Sequence, residues 1–193
     1  MELEKLIRDS GFALVGRFDA SGLEARDEVR DMCVVDTCHS YNRSWSCPPA
    51  CGSIEHFKEK LKGYDTGYLF QTVAEMDDAF DYEGIVRGGK EHARRLAALL
   101  DRIDEAEGDV LVLGAGACSL CETCTYPDTP CRYPHKTLVS MEAAGLVVSD
   151  VCALADIPAY HGKGTVAFCG CVLVCQPRTT GPFVQPTGEN TGL

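Results

Sequence analysis

Four short stretches of the chain carry the apolar alternation or continuous apolar character of strands: residues 12–18 (FALVGRF), 68–73 (YLFQTV), 110–114 (VLVLG) and 165–174 (TVAFCGCVLV). Between them apolar residues recur at helical spacing. Residues 2–9 (ELEKLIRD) read as a short helix stopped by Ser10-Gly11, and a second helix is predicted across 23–32. Ser53 is placed to cap a helix over 54–61, and a long helix over 85–106 would bury Leu96, Leu99, Leu100 and Ile103. Residues 137–144 are expected to form one more helix, closed by Gly145. The helices present apolar stripes that need cover, so the pattern predicts an α/β fold: a single compact domain, its mixed β-sheet flanked by helices. This domain is expected to span residues 1–175. From 176 to 193 the chain is rich in Pro, Gly and Thr and reads as a flexible C-terminal tail.

Cysteines interrupt this pattern in two loops. Residues 118–131 read CSLCETCTYPDTPC, a C-x2-C-x2-C-x6-C spacing. The first three have the tight spacing of a bacterial ferredoxin run, in which a nearer fourth cysteine serves the neighbouring cluster. Here the fourth stands further on, so Cys118, Cys121, Cys124 and Cys131 suffice for one [4Fe-4S] cube, which needs four soft ligands. Gly114 and Gly116 let the backbone approach closely; they lack the third glycine of a dinucleotide fingerprint and lead into cysteines instead of a helix. The second set is Cys33, Cys38, Cys47 and Cys51, spaced C-x4-C-x8-C-x3-C, with Pro48-Pro49 holding the chain extended. The two loops are expected to fold back against each other. A four-cysteine zinc site is the rival reading for either set.

Neighbouring residues add smaller expectations. Trp45 would shield a cluster or close the core, and Asn42 and Arg43 are candidates to donate hydrogen bonds to sulfur, against an ordinary polar loop. His39 reads as solvent-facing rather than as a ligand. Arg87, Lys90, Arg94 and Arg95 form a basic stretch that would pair with the carboxylates of residues 74–84. Cys152, Cys169, Cys171 and Cys175 form a third group. Strand cysteines usually behave as small apolar residues, with a third metal site or a redox or sulfur-carrying role as the alternatives.

Composition narrows the function classes. Twelve cysteines in 193 residues, behind the charged amphipathic start MELEKLIRDSG, point to metal and a reducing cytoplasm more than to a disulfide framework. The formal net charge of −11 argues against nonspecific binding to nucleic acid, and no apolar run reaches membrane-spanning length. Two loaded cubes would add about −2 each and favour a redox partner with a basic docking surface.

The chain resembles a family of predicted metal-binding proteins common in anaerobic bacteria and archaea, domain of unknown function 2284. The resemblance runs from Cys33 to Val174. It rests on Cys33, Cys38, Trp45-Ser46-Cys47-Pro48-Pro49, Leu69-Phe70-Gln71, Cys118/Cys121/Cys124, Cys131-Arg132-Tyr133-Pro134, Ser140-Met141-Glu142-Ala143 with Gly145, and the strand closing at Gly170–Leu173. It implies metal or iron–sulfur binding. The expected function is a cytoplasmic protein with two [4Fe-4S] clusters that passes electrons in an anaerobic redox pathway. The alternatives are a cluster-dependent enzyme of sulfur transfer or dehydration, with an open iron if Cys51 is not a ligand, and a zinc-stabilised structural or interaction module.

Overall fold

The computed structural model describes residues 2–12, 14–78, 80–103 and 110–175. After helix α1 (Glu2–Asp9) come strand β1 (Leu14–Asp19) and helices α2 (Asp27–Met32) and α3 (Ile54–Leu61). Strand β2 (Thr66–Glu75), helix α4 (Tyr82–Leu100) and strands β3 (Val110–Gly114) and β4 (Val139–Ser140) follow, then helix α5 (Val148–Leu154) and strand β5 (Thr165–Val174). The sheet order is β1-β2-β5-β3-β4. All pairs are antiparallel except β3 with β4, so the sheet is mixed.

Side-chain alternation on the strands divides the core between two faces. Leu69, Leu113, Cys169, Cys171 and Leu173 join Phe57 and Leu61 of α3 and Val151 and Cys152 of α5. On the other face Tyr68, Phe70 and Val172 pack with Ile7 of α1 and Leu96 and Leu99 of α4. With both faces covered, these elements form one compact domain, as the pattern predicted. Residues 176–193, expected to form the tail, lie outside the described residues.

Several helix boundaries differ from expectation for local reasons. The helix expected over 23–32 begins only at Asp27. Before it, Asp19 accepts from the Ser21 N–H and closes a 3-10 turn, and the Arg26 N–H is committed to Gly145 O at 2.8 Å. The long helix starts at Tyr82, where the Asp81 carboxylate accepts from the Gly84 N–H, and ends at Leu100; its expected last residues, 104–106, lie outside the described residues. The helix expected over 137–144 is absent. Val139 and Ser140 pair instead with Leu113 and Gly114 at the edge of β3, a long-range ladder overriding local propensity. One helical turn follows and stops at Gly145, whose φ of +85° suits glycine. Helix α5 was not predicted. Ser53 caps α3 as expected, its Oγ accepting from the His56 N–H at 3.2 Å.

Candidate metal centre

The first cysteine loop leaves α2 through a 3-10 turn at Cys33–Val35 and returns to the body at Cys51, just before α3. Asp36, His39 and Asn42 take left-handed conformations, and Asp36 Oδ1 accepts from the Tyr41 N–H at 2.8 Å, closing a side-chain turn. Cys38 is exposed, Cys33 and Cys51 are half-buried and Cys47 is buried. The four thiols share one electrostatic neighbourhood. Burial raises Cys47 first, a hydrogen bond with Ser46 opposes this, and Cys38, Cys51 and Cys33 raise it further. Cys33 is raised by burial and then, against the pull of Arg30, by Cys38, Glu142 and Cys51. Cys33, Cys47 and Cys51 are all raised and so resist joint ionisation until a cation compensates them.

Arg30 supplies a fixed positive charge at this loop. Its side chain is buried, lies 5.9 Å above the Phe57 ring, and donates to Ala143 O and Gly52 O. Burial raises the Cys51 thiol, and Arg30 counters this by its charge and by a hydrogen bond. No sequence signal singled out Arg30: an arginine on an acidic helix reads as a surface residue.

The second loop follows β3 and packs on the first through two buried serines. Ser46 Oγ accepts from the Cys118 N–H at 3.0 Å and lies 2.9 Å from Ser44 Oγ. Burial would raise the Cys124 thiol, but the N–H groups of Trp45, Tyr126 and Thr125 and the Ser44 hydroxyl together hold it below its usual value. Cys131 Sγ lies 3.0 Å from Thr137 Oγ1 and accepts from the Tyr133 N–H at 3.4 Å. Trp45 ties the loops, donating from Nε1 to Thr129 O at 3.1 Å and meeting Tyr126 edge-on at 5.0 Å. The Tyr126 hydroxyl donates to Asn42 Oδ1 at 2.5 Å. Cys51 and Cys131, one from each loop, line a shared open depression of about 650 Å³ with Trp45, Asp128 and Pro134.

The loops therefore do fold against each other. Asn42 accepts from Tyr126 through Oδ1, Arg43 lies 3.7 Å from Asp36 Oδ2, and other groups meet the sulfurs in this structure. Backbone N–H groups, Ser44, Ser46 and Thr137 lie beside the sulfurs. Short serine and threonine side chains beside cysteines were the available signal, and it is weak, because serine is common in any loop. His39 is exposed, as expected. Arg94 and Arg95 pair within their own helix, each 2.8 Å from Glu91, while Arg87 acts on Asp81, one of the carboxylates expected as partners. Of the third cysteine group, Cys152 and Cys169 come together around the Gln71 amide, Cys171 is buried two residues along the same strand face, and Cys175 is exposed just past β5.

Among the described residues no three His, Cys, Asp or Glu side chains close on one ion-sized position. The donor set still suits a soft metal: eight thiols in two loops, with N–H and hydroxyl groups already aimed at sulfur. Among the described residues no helix is long and apolar enough to cross a membrane.

A mixed sheet carrying two mutually packed thiol loops defines a cysteine-rich α/β protein of the metal-binding class. The family described as "Predicted metal-binding protein (DUF2284)" matches residues 17–174, and the chain belongs to it. No curated protein and no solved structure matches the chain.

Proposed function

We propose that the protein holds two [4Fe-4S] clusters and transfers electrons to a protein partner in an anaerobic, cytoplasmic redox pathway. Cys33, Cys38, Cys47 and Cys51 would hold one cluster, and Cys118, Cys121, Cys124 and Cys131 the other. The observation that carries this reading is the pairing of two four-thiol loops across the Ser46–Cys118 contact, with N–H donors on Cys124 and Cys131. When bound, the clusters would supply one-electron chemistry at a potential set by charge and hydrogen bonds to sulfur. The chain's own groups do the rest. The N–H groups around Cys124 stabilise negative charge on sulfur, Arg30 offsets the charge of Cys33 and Cys51, and Trp45 holds the loops at a fixed separation. Met32, Val34 and Val35 are exposed beside the first loop, an apolar patch where a partner would approach Cys38.

A cluster-dependent enzyme is the second reading. The depression shared by Cys51 and Cys131 favours it, since an iron lacking the Cys51 ligand would open there. Anaerobically prepared Cys51→Ala and Cys121→Ala proteins separate these ideas by iron and sulfide analysis with electron paramagnetic resonance. Each variant is expected to lose about four irons and one cluster signal. Full iron and an unchanged first-cluster spectrum in Cys51→Ala would move the reading to an enzyme with an accessible iron. A colourless wild-type protein carrying two zinc ions would refute both and leave a zinc-stapled module.

A further inference from the structure

The buried cysteines Cys152 and Cys169 have their own polar network. Gln71 on β2 stands directly opposite Cys169 on β5, so both side chains project to the same face, where α5 places Cys152. Gln71 is 1% exposed, and burying an amide in an apolar core is costly unless its hydrogen bonds are made. They are made. Gln71 Nε2 donates to Pro158 O at 3.0 Å and lies 3.3 Å from Cys169 Sγ and 3.4 Å from Cys152 Sγ. Pro158 O can only accept, which fixes the amide orientation and leaves one N–H shared between two sulfurs. Two acceptors on a single N–H must lie side by side. Gln71 Oε1 then accepts from His161 Nε2 at 2.7 Å, which puts a proton on that ring nitrogen. Two small apolar residues would fill this space without an amide. Cys171 illustrates that inert case: burial alone pushes its thiol up to about 12.

We propose that Cys152 and Cys169 form a two-electron dithiol/disulfide couple, oxidised by a low-molecular-weight aliphatic disulfide. The pair lies outside both cysteine loops in sequence, although Cys51 packs on the same core cluster and Glu142 neighbours both Cys169 and Cys33. Its chemistry is thiol–disulfide exchange. Cys152 Sγ attacks one sulfur of R–S–S–R, that bond breaks, and the departing RS⁻ takes the Cys152 proton. Cys169 Sγ then attacks Cys152 Sγ, the mixed disulfide breaks, and the second RS⁻ takes the Cys169 proton. Two protein thiols give up two electrons and two protons, and one small disulfide becomes two thiols.

The roles follow from the surroundings of each sulfur. The hydrogen bond from Cys169 lowers the Cys152 thiol, burial opposes this, and the Gln71 N–H adds to the lowering. Cys169 is held well above the usual thiol value, by its bond to Cys152 and then by burial. One proton therefore leaves the pair readily and the other is retained, making Cys152 the nucleophile and Cys169 the resolving thiol. Both are nearly inaccessible, Cys152 at 1% and Cys169 at 5%, and the loop carrying Pro158 and His161 covers them. Any reagent reaches the sulfurs only when this loop opens, and a small disulfide requires the least opening.

The test uses the metal-loaded full chain under argon with bis(2-hydroxyethyl) disulfide, quenched in acid, alkylated and digested with trypsin. Cleavage at Lys136 and Lys163 leaves Cys152 as the sole cysteine of its peptide. The expected product is a Cys152–Cys169 cross-link, lighter than the two thiol peptides by two hydrogens and reversed by dithiothreitol. In Cys169→Ala the 2-hydroxyethyl adduct should accumulate on Cys152, and in Cys152→Ala the cross-link should be lost. The wild-type mapping needs no variant to fold. Two native thiols after prolonged exposure would overturn the proposal, as would a stable adduct on wild-type Cys152 or a cross-link from Cys152 to Cys171 or Cys175. Iron and sulfide content, read on the same samples, reports separately on the metal loops.

Discussion

Replacing Arg30 by methionine removes a buried cation while keeping most of its apolar volume. The guanidinium donates to Ala143 O and Gly52 O, and both carbonyls would lose a partner. An unsatisfied buried acceptor costs about 1–3 kcal/mol, so the two together cost about 2–6. Losing the contact over Phe57 adds about 0.5–1 kcal/mol. Relief from keeping a charge in the interior offsets part of this, by an amount that mutational data place at several kcal/mol at most. The expected net loss is about 2–4 kcal/mol of stability, read as the shift in urea unfolding of the protein as purified. A second effect appears only with metal present. If Cys33 and Cys51 hold metal as proposed, their thiolates carry negative charge that Arg30 neutralises, and one such interaction at roughly 5 Å and an effective dielectric constant of about 20 is worth about 3 kcal/mol. Arg30→Met should therefore release metal to a competing chelator at a concentration at least about tenfold lower than the wild type. Arg30→Lys should recover much of the metal retention and little of the stability, because an ammonium cannot reproduce the planar fork. A variant within about 1 kcal/mol of the wild type, releasing metal at the same chelator concentration, would refute the role assigned to this side chain.

Burial pushes His92 down to about 4, with Arg95 adding to the shift, so the folded state holds it neutral while the unfolded chain titrates near the ordinary value of 6.5. Its contribution is fully present above pH 6.5 and is lost as pH falls towards 4, amounting to about 3 kcal/mol; over that window the wild type should lose about this much stability relative to His92→Phe in urea unfolding, and parallel curves would count against it. Ser46→Ala leaves the Cys118 N–H without its acceptor at the loop contact, so a loss of about 1–2 kcal/mol is expected, with faster amide exchange at Cys118. Unchanged exchange there would show that the two loops are held together by other contacts.

The sheet was legible because its strands are short apolar runs bounded by breakers, and the Ser53 cap was legible because its donor lies three residues away. Interactions of long sequence separation were not. Val139 and Ser140 read as helix until β3 offers them an edge, and Arg30 reads as a surface residue until Gly52 and Ala143 close around it. The eight loop cysteines stood out by spacing, and the loops do meet, yet the serines that join them had no pattern. Gln71 entered only as part of strand 68–73 and of the family resemblance. Only the register that sets it opposite Cys169, and the turn that brings His161 to its other end, show why an amide belongs there.

The distribution of positive charge explains how an acidic chain can gather so many thiols. Many cations at or near the surface are in ion pairs: exposed Lys136 with Asp101 and Arg94 with Glu91, and half-buried Lys58 with Asp27 and Arg95 with Glu91. Such pairs contribute little and are screened by salt. The groups that meet sulfur are different in kind. Arg30 is buried, and the N–H donors around Cys124 and Cys131 belong to the backbone, where their dipoles are fixed by the fold and screened far less. Charge on the thiols is thus met locally and within the protein, leaving the net −11 to act outward, on whatever approaches. Salt should accordingly weaken the encounter with a basic partner while leaving metal retention nearly unchanged. Equal sensitivity of both to salt would mean that surface cations, rather than Arg30 and the backbone, hold the loops.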